Sequence, residues 1–212
     1  SYSVTGVQTC ALPISEPPRE EKERLRFATE CRLLTADGAT LGSLSNRFTL
    51  VALTNAWLLV WEAEFQAGDA GLVFGDQEEM GLGARVATAI TEQNGGVITS
   101  SSGLKTAKST WGKPAEWCDY SGTVDGQRVG ITLMTDPANF RPSWWHNRDY
   151  GLMVANPFGR EAMKQGAKSA VTVQPGESFR LRFGAAIHQG SIGKAAALYQ
   201  AFLLGNELPP TD

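Results

Sequence analysis

Residues 57–66 read WLLVWEAEFQ, and Trp57, Leu59, Trp61, Ala63 and Phe65 fall on one parity while Glu62 and Glu64 fall on the other. That period of two belongs to a strand with one buried and one partly wet face, because a helix would spread the same apolar residues around its axis. Residues 47–53 lead into this run through Thr54-Asn55-Ala56, so the two form a core hairpin whose tryptophans serve packing. The alternation recurs before and after it. Thr29, Cys31, Leu33 and Thr35 alternate ahead of an Asp37-Gly38 turn, and residues 129–135 follow a turn at Asp125-Gly126. Residues 170–173 and 179–188 read as a last hairpin across Pro175-Gly176, with Phe179, Leu181, Phe183, Ala185 and Ile187 inward and His188 on the opposite parity. Residues 72–74 add a short strand. One amphipathic helix closes the pattern, capped by Ser191, carrying Ile192, Ala195, Ala196, Tyr199, Phe202 and Leu203 on one side, and ended by Gly205-Asn206 and Pro209-Pro210. The expected class is all-β, an antiparallel β-sandwich with one C-terminal helix packed against it.

The expected division of the chain is an adapter-like, non-native segment over 1–15, a charged linker or short helix over 16–27, the sandwich over 28–205 and a tail over 206–212. Segment 1–15, SYSVTGVQTCALPIS, has neither the basic start nor the single apolar block of a signal peptide, and it resembles a translated sequencing adapter at the broken end of a gene fragment. Residues 16–27 open with Pro17-Pro18 and are dense in charge.

A net charge of -3 gives no basic face for phosphate neutralisation, so nucleic acid is not expected as a partner. The most apolar stretch, residues 48–60, is interrupted by Thr49, Thr54 and Asn55 and is shorter than the ~20 residues a membrane helix needs, so no membrane partner is expected. Three cysteines without CxxC spacing leave the compartment undecided.

The chemistry concentrates in residues 144–158, WWHNRDYGLMVANPF. Trp144, Trp145, His146, Arg148, Asp149 and Tyr150 are too polar together for a core strand and too aromatic for a solvent loop, which fits a lined pocket at the mouth of a strand. The plainer reading is that the tryptophans cover a sheet edge while Arg148 and Asp149 pair at the surface. Upstream, Glu78 and Glu79 precede Gly81 and Gly83, where the backbone can pass close to a ligand or make a bulge and aim a carboxylate into a cleft. The GLG run lacks the phosphate-loop pattern. Residues 99–109 read as a polar loop, and Trp111, Lys113 and Trp117 gather just after it.

EEMGLGARV, WGKPAEWCDYSG, GITLMTDPANFRPSWWHNRDYG, LMVANPFG and the terminal IHQG together resemble the bacterial domain family of unknown function labelled PmoA-like methane oxygenase, N-terminally truncated here, with a match from about residue 30 to 202. A methane monooxygenase subunit spans the membrane and this chain has no segment able to do so, which sets that activity aside. The resemblance implies instead a sandwich similar to galactose-mutarotase-like folds and a carbohydrate ligand.

On the residues themselves, a neutral imidazole with a carboxylate partner suits acid–base work on a glycoside or sugar acid. His146 and Glu79 are the expected pair, with Arg148 orienting a substrate carboxylate or steadying developing charge. Trp111, Lys113, Trp144, Trp145, Asp149, Tyr150, Asn156 and His188 are the expected substrate-binding residues. A glycosidase pair would use Glu79 with Asp136 or Asp149. No cofactor is expected, although His146, His188 and Glu79 would make a two-His, one-carboxylate metal set if they converged. The expected function is a hydrolase or lyase, and the alternative is a non-catalytic carbohydrate-binding or interaction module.

Overall fold

Alternating runs of this kind must bury one face, and in the computed structural model, which describes residues 14–21, 24–190 and 194–204, they do so in a large sheet with a small sheet packed on it, beside a two-stranded third sheet of 72–74 and 171–173. The elements are β1 (Ile14–Glu21), β2 (Arg24–Leu34), β3 (Thr40–Leu53), β4 (Ala56–Ala67), β5 (Leu72–Phe74), β6 (Leu82–Arg85), β7 (Val97–Ser100), the one-turn helix α1 (Ala107–Thr110), β8 (Trp117–Val124), β9 (Gln127–Thr135), β10 (Trp144–Asn147), β11 (Leu152–Asn156), β12 (Val171–Val173), β13 (Ser178–Gln189) and α2 (Lys194–Leu204). Eight strands form the large sheet in the order β1-β2-β3-β4-β13-β9-β8-β7, and β10-β11-β6 form the small one, all pairs antiparallel. Among the described residues no helix is long and apolar enough to cross a membrane.

Parity decides what each face meets. Leu181 and Phe183 of β13, Leu133 of β9 and Tyr120 of β8 pack with Trp145, Met153 and Ala155 of the small sheet as one core. Their neighbours of opposite parity, Leu58, Val60, Met134 and Ala186, are covered by Leu198, Tyr199 and Phe202 of α2. A Cβ at Gly184 would stand 2.7 Å from Phe202 Cδ2, so the helix rests where a glycine leaves room. Arg182 ties the end of α2 to the sheet by donating from Nη2 to Phe202 O at 2.8 Å, with its guanidinium 4.4 Å from the Phe202 ring centre. At the β8–β9 turn Asp125 and Gly126 have φ of 50° and 75°, the pair of left-handed residues that matches the twist of a two-residue hairpin.

Four expectations are corrected. Residues 16–21 and 24–27 are neither linker nor helix, because they belong to β1 and β2 at the edge of the large sheet. Their charge suits an edge strand, and Pro17-Pro18 lies in the register shift between the pairs Glu16↔Ala28 and Arg19↔Arg26, where no ladder donor is needed. Residues 170–188 do not fold back on themselves: β12 pairs with β5 while β13 pairs with β4 and β9, so Pro175-Gly176 carries the chain from one sheet to another. Residues 99–109 contain the end of β7 and α1. Trp57 is 56% exposed, since the small sheet does not reach that end of β4. Residues 1–13, the Ser191 cap and the tail 206–212 lie outside the described residues, whereas Ile14 pairs with Thr29.

Candidate functional site

The alternation along β10 puts Trp144, His146 and Arg148 on one side of the small sheet and Trp145 and Asn147 on the other. Trp145 therefore belongs to the core, completely buried, and its indole N–H donates to Ala115 O at 3.0 Å. On β11 the buried Asn156 uses every valence of its carboxamide. Nδ2 donates to Gln77 O at 2.7 Å and Glu78 O at 2.9 Å, and Oδ1 accepts from the N–H groups of Phe158 at 2.8 Å and Gly159 at 3.0 Å. This clamp lays the segment before β6 along β11, and Gly81 permits the approach, since a Cβ there would stand 2.1 Å from Ala155 O. Glu78 is thereby delivered to His146.

Glu78 Oε1 is the hub of the group. Arg148 Nη2 donates to it at 2.8 Å and Trp111 Nε1 at 3.2 Å, and His146 Nδ1 lies 3.1 Å away. The imidazole contact is close but poorly aligned, so Nδ1 has no hydrogen bond of good geometry among the described residues. Arg148 Nε donates to His146 Nε2 at 3.2 Å, and a guanidinium can only donate, so Nε2 carries the lone pair and the ring proton sits on Nδ1, toward Glu78. Glu79 Oε1 is 3.5 Å from Nε2. Burial first, and the Arg148 charge second, hold the His146 pKa below its ordinary value against the opposing pull of Glu78 and Glu79. The ring is neutral at pH 7 and wholly buried, while its partners reach solvent: 38% of the Glu78 side chain, 65% of Glu79 and 37% of Arg148 are exposed.

An open cleft of about 540 Å³ adjoins the group, its wall formed by Trp111, Asn147, Arg148, Asp149, Lys108 and Glu92. Glu92 Oε2 is engaged by the Ala107 N–H at 2.8 Å. The Trp111 ring carries Arg148 at 6.0 Å and Lys164 at 5.7 Å from its centre, a cation–π setting in addition to its N–H bond to Glu78.

The structure thus gathers His146, Arg148 and Trp111 at Glu78 with Glu79 beside His146, and it places Trp111, Arg148 and Asp149, but neither His146 nor Glu79, on the cleft wall. It does not bring the others there. Lys113 is exposed and meets Trp145 through its backbone carbonyl, which accepts the Trp145 N–H at 3.2 Å. Trp144 is half-buried with Arg141 5.8 Å from its ring centre, and Tyr150 is exposed beneath Arg85 at 5.1 Å. Trp145 and Asn156 are closed off in the interior, so neither offers a surface to a ligand. Asp136 is engaged by Arg182 Nη1 at 2.5 Å, which removes it from a glycosidase pair. His188 shares the parity of Ala186 on the α2 side of the large sheet and pairs there with Asp119 Oδ1 at 2.7 Å, so the metal set of His146, His188 and Glu79 does not converge. Among the described residues no group of three or more His, Cys, Asp or Glu side chains is placed to hold a metal ion. Glu78 is the residue that sequence reasoning passed over in favour of Glu79. Only the Asn156 clamp, 78 residues away, distinguishes the two.

The sequence matches the model of a family described as "Family of unknown function (DUF6807)" over residues 16–202, and the chain belongs to that family. The match carries no methane-oxygenase name. No curated protein matches the sequence. Among solved structures, a galactose mutarotase related enzyme from Lactobacillus acidophilus is similar at 8% identity, over 85% of this chain and 71% of its own, with a TM-score of 0.37. The Slr1438 protein from Synechocystis sp. PCC 6803 is similar at 11% identity, over 84% of this chain and 66% of its own, with a TM-score of 0.39.

Proposed function

We propose that the chain is a carbohydrate-active protein that takes a sugar or sugar acid in the cleft beside Trp111 and acts on it by carboxylate acid–base chemistry supported by His146, as a hydrolase or lyase. The observation that carries this reading is the convergence of His146, Arg148 and Trp111 on the single oxygen Glu78 Oε1 at the margin of the cleft. Three groups of different chemistry spent on one carboxylate oxygen exceed what packing requires, and perturbed titratable groups beside a cleft are a mark of function. Glu79 is the exposed carboxylate of the pair and would meet the ligand as acid or base. His146, having no exposed surface, would be a positioning residue: its neutral ring accepts from Arg148 and so holds the guanidinium between Glu78 and the cleft. Arg148 would turn its remaining N–H donors, and Lys108 its ammonium, toward ligand oxygens.

The complete burial of His146 and the engagement of Glu78 by Arg148 favour a second reading, a module that holds a glycan without turning it over. Calorimetric titration of wild type and Glu79→Gln with neutral sugars, uronates and oligosaccharides, with product analysis by reducing ends and by the ultraviolet absorbance of unsaturated products, separates the two. The enzyme reading expects product from wild type, and binding without product from Glu79→Gln. Binding without product from both supports the module, and absence of binding by every sugar overturns the carbohydrate reading.

A further inference from the structure

Tyr120 of β8 is wholly buried, and its ring belongs to the core shared with Trp145 and Met153. A phenylalanine would fill the same volume, and a buried hydroxyl is costly unless it is paired, so the hydroxyl is explained by its partners. Those partners all lie on the cleft wall. Glu92 N–H donates to Tyr120 Oη at 2.6 Å, and the hydroxyl donates to Asp149 O at 3.0 Å, with Arg148 O a longer alternative at 3.4 Å. Burial first, and the Glu92 and Asp149 charges after it, raise the Tyr120 pKa above its ordinary value, so the phenol keeps the proton with which it donates. From Glu92 the line continues into α1. Glu92 Oε2 accepts the Ala107 N–H at 2.8 Å, and Ala107 opens that helix next to Lys108. Gln93 N–H adds a longer bond to Asp149 O at 3.3 Å, while Asn147 Nδ2 holds the far end of α1 by donating to Thr110 Oγ1 at 2.8 Å. The Tyr120 hydroxyl therefore governs the Lys108 end.

We infer that Tyr120 is a positioning residue of the cleft: its hydroxyl locks the turn that carries Glu92 to the Arg148–Asp149 segment and, through Glu92, fixes Lys108 at a set spacing from Arg148. The inference rests on the cleft being the ligand site of the proposed function. Lys108 and Arg148 are the two cations of the cleft wall, and both can only donate, so a ligand must bring acceptors that match their spacing. Donors held in place beforehand spare the ligand the cost of ordering them. A hydroxyl that no ligand touches can in this way set the affinity of the groups in front of it.

The test compares wild type with Tyr120→Phe, which keeps the ring in the core and removes only the hydroxyl, by amide hydrogen exchange and by NMR titration with D-galactose and, separately, D-glucuronate. The expected result is that the Glu92 and Ala107 amides exchange about tenfold faster in the variant while the β8–β9 ladder amides keep their wild-type rates. A sugar that shifts the Lys108 and Arg148 amides of wild type should also bind the variant about tenfold more weakly, the effect of one lost hydrogen bond. A hydroxyl that serves the core alone would instead speed exchange along the ladder and leave affinity per folded molecule unchanged, which overturns the inference while the carbohydrate reading stands. Unchanged affinity overturns it whatever the exchange shows, and so does faster exchange at Glu92 that leaves Ala107 untouched. If neither sugar shifts any cleft signal of wild type, the carbohydrate reading falls and the exchange pattern alone decides the inference. Should Tyr120→Phe fail to fold, Glu92→Ala cuts the line one step further on: faster exchange at Ala107 with the residue 92 amide still protected upholds the inference, and an unchanged Ala107 rate overturns it.

Discussion

Both histidines of the chain are buried, yet their surroundings have opposite character. On the small sheet His146 meets Glu78, Glu79 and Arg148, whose side chains all reach solvent, and Arg148 lines a cleft. On the far side of the large sheet His188 Nε2 meets Asp119 Oδ1 at 2.7 Å, Thr132 Oγ1 donates to the same oxygen at 2.7 Å, and neither member of the His188–Asp119 pair has any exposed side chain. Burial of a titratable group therefore does not mark a site. A buried imidazole matters to a ligand when its partners reach solvent, and serves the fold when they are sealed in with it, because only the first arrangement couples its proton to something outside.

The strongest way to break this comparison is to attack the sealed pair. Asp119→Ala leaves His188 buried without its partner and is expected to cost about 3–5 kcal/mol in denaturant unfolding, the range for breaking a buried charged or strongly polar pair. A loss below about 1 kcal/mol, ordinary for a surface change, would show that the pair contributes no more to the fold than an exposed one. Next in size is Asn156→Ala, which removes four hydrogen bonds from the segment carrying Glu78. At roughly 1 kcal/mol for each of the more committed bonds, a destabilisation of about 2–4 kcal/mol is expected, together with loss of sugar binding as Glu78 leaves His146. Stability lost with binding per folded molecule intact would show that Asn156 serves the loop alone.

A smaller effect sharpens the comparison through pH. The folded-state pKa of His146 is depressed, burial being the main cause, so the folded protein prefers the neutral ring and the unfolded chain binds the extra proton. The stability tied to this group is therefore fully present above its ordinary value of 6.5 and declines as pH falls through and below it. Unfolding free energies measured between pH 8 and 5, a window of ~1.5 units on either side of that value, should show a decline that is reduced in His146→Gln. An identical decline in the variant would assign it to other groups. The smallest stability change belongs to Glu79→Gln, within about 0.5 kcal/mol because the side chain is mostly exposed, while turnover on a sugar is lost. A variant destabilised well beyond that would place Glu79 among the structural groups, beside Asp119.

How much of this was legible depended on how far each determinant lies along the chain. Asp125-Gly126 advertised the β8–β9 turn because left-handed backbone preferences act within two residues. Pro175-Gly176 advertised a hairpin that does not exist, because the turn residues say where the chain bends and nothing about which strand β13 then joins. Charge density over residues 16–27 hid an edge strand, since an edge tolerates on its open side what a central strand would exclude. Trp145 and His146 looked alike as pocket residues, and one step of strand alternation sends the first into the core and the second to the Glu78 group.

The sequence by itself determined the class of the fold, because period-two alternation is a local property and forces strands to hide one face. It also located the stretch of chain that carries the candidate site, since aromatic, basic and acidic side chains crowd into residues 144–150. Only the tertiary structure decided that Glu78 sits beside His146, that His188 belongs to the opposite side with Asp119, and that Asn147 is buried against Thr110 and Cys118. Each of those outcomes depends on hydrogen bonds between residues tens of positions apart, and nothing in the local pattern encodes which distant partner a side chain will meet.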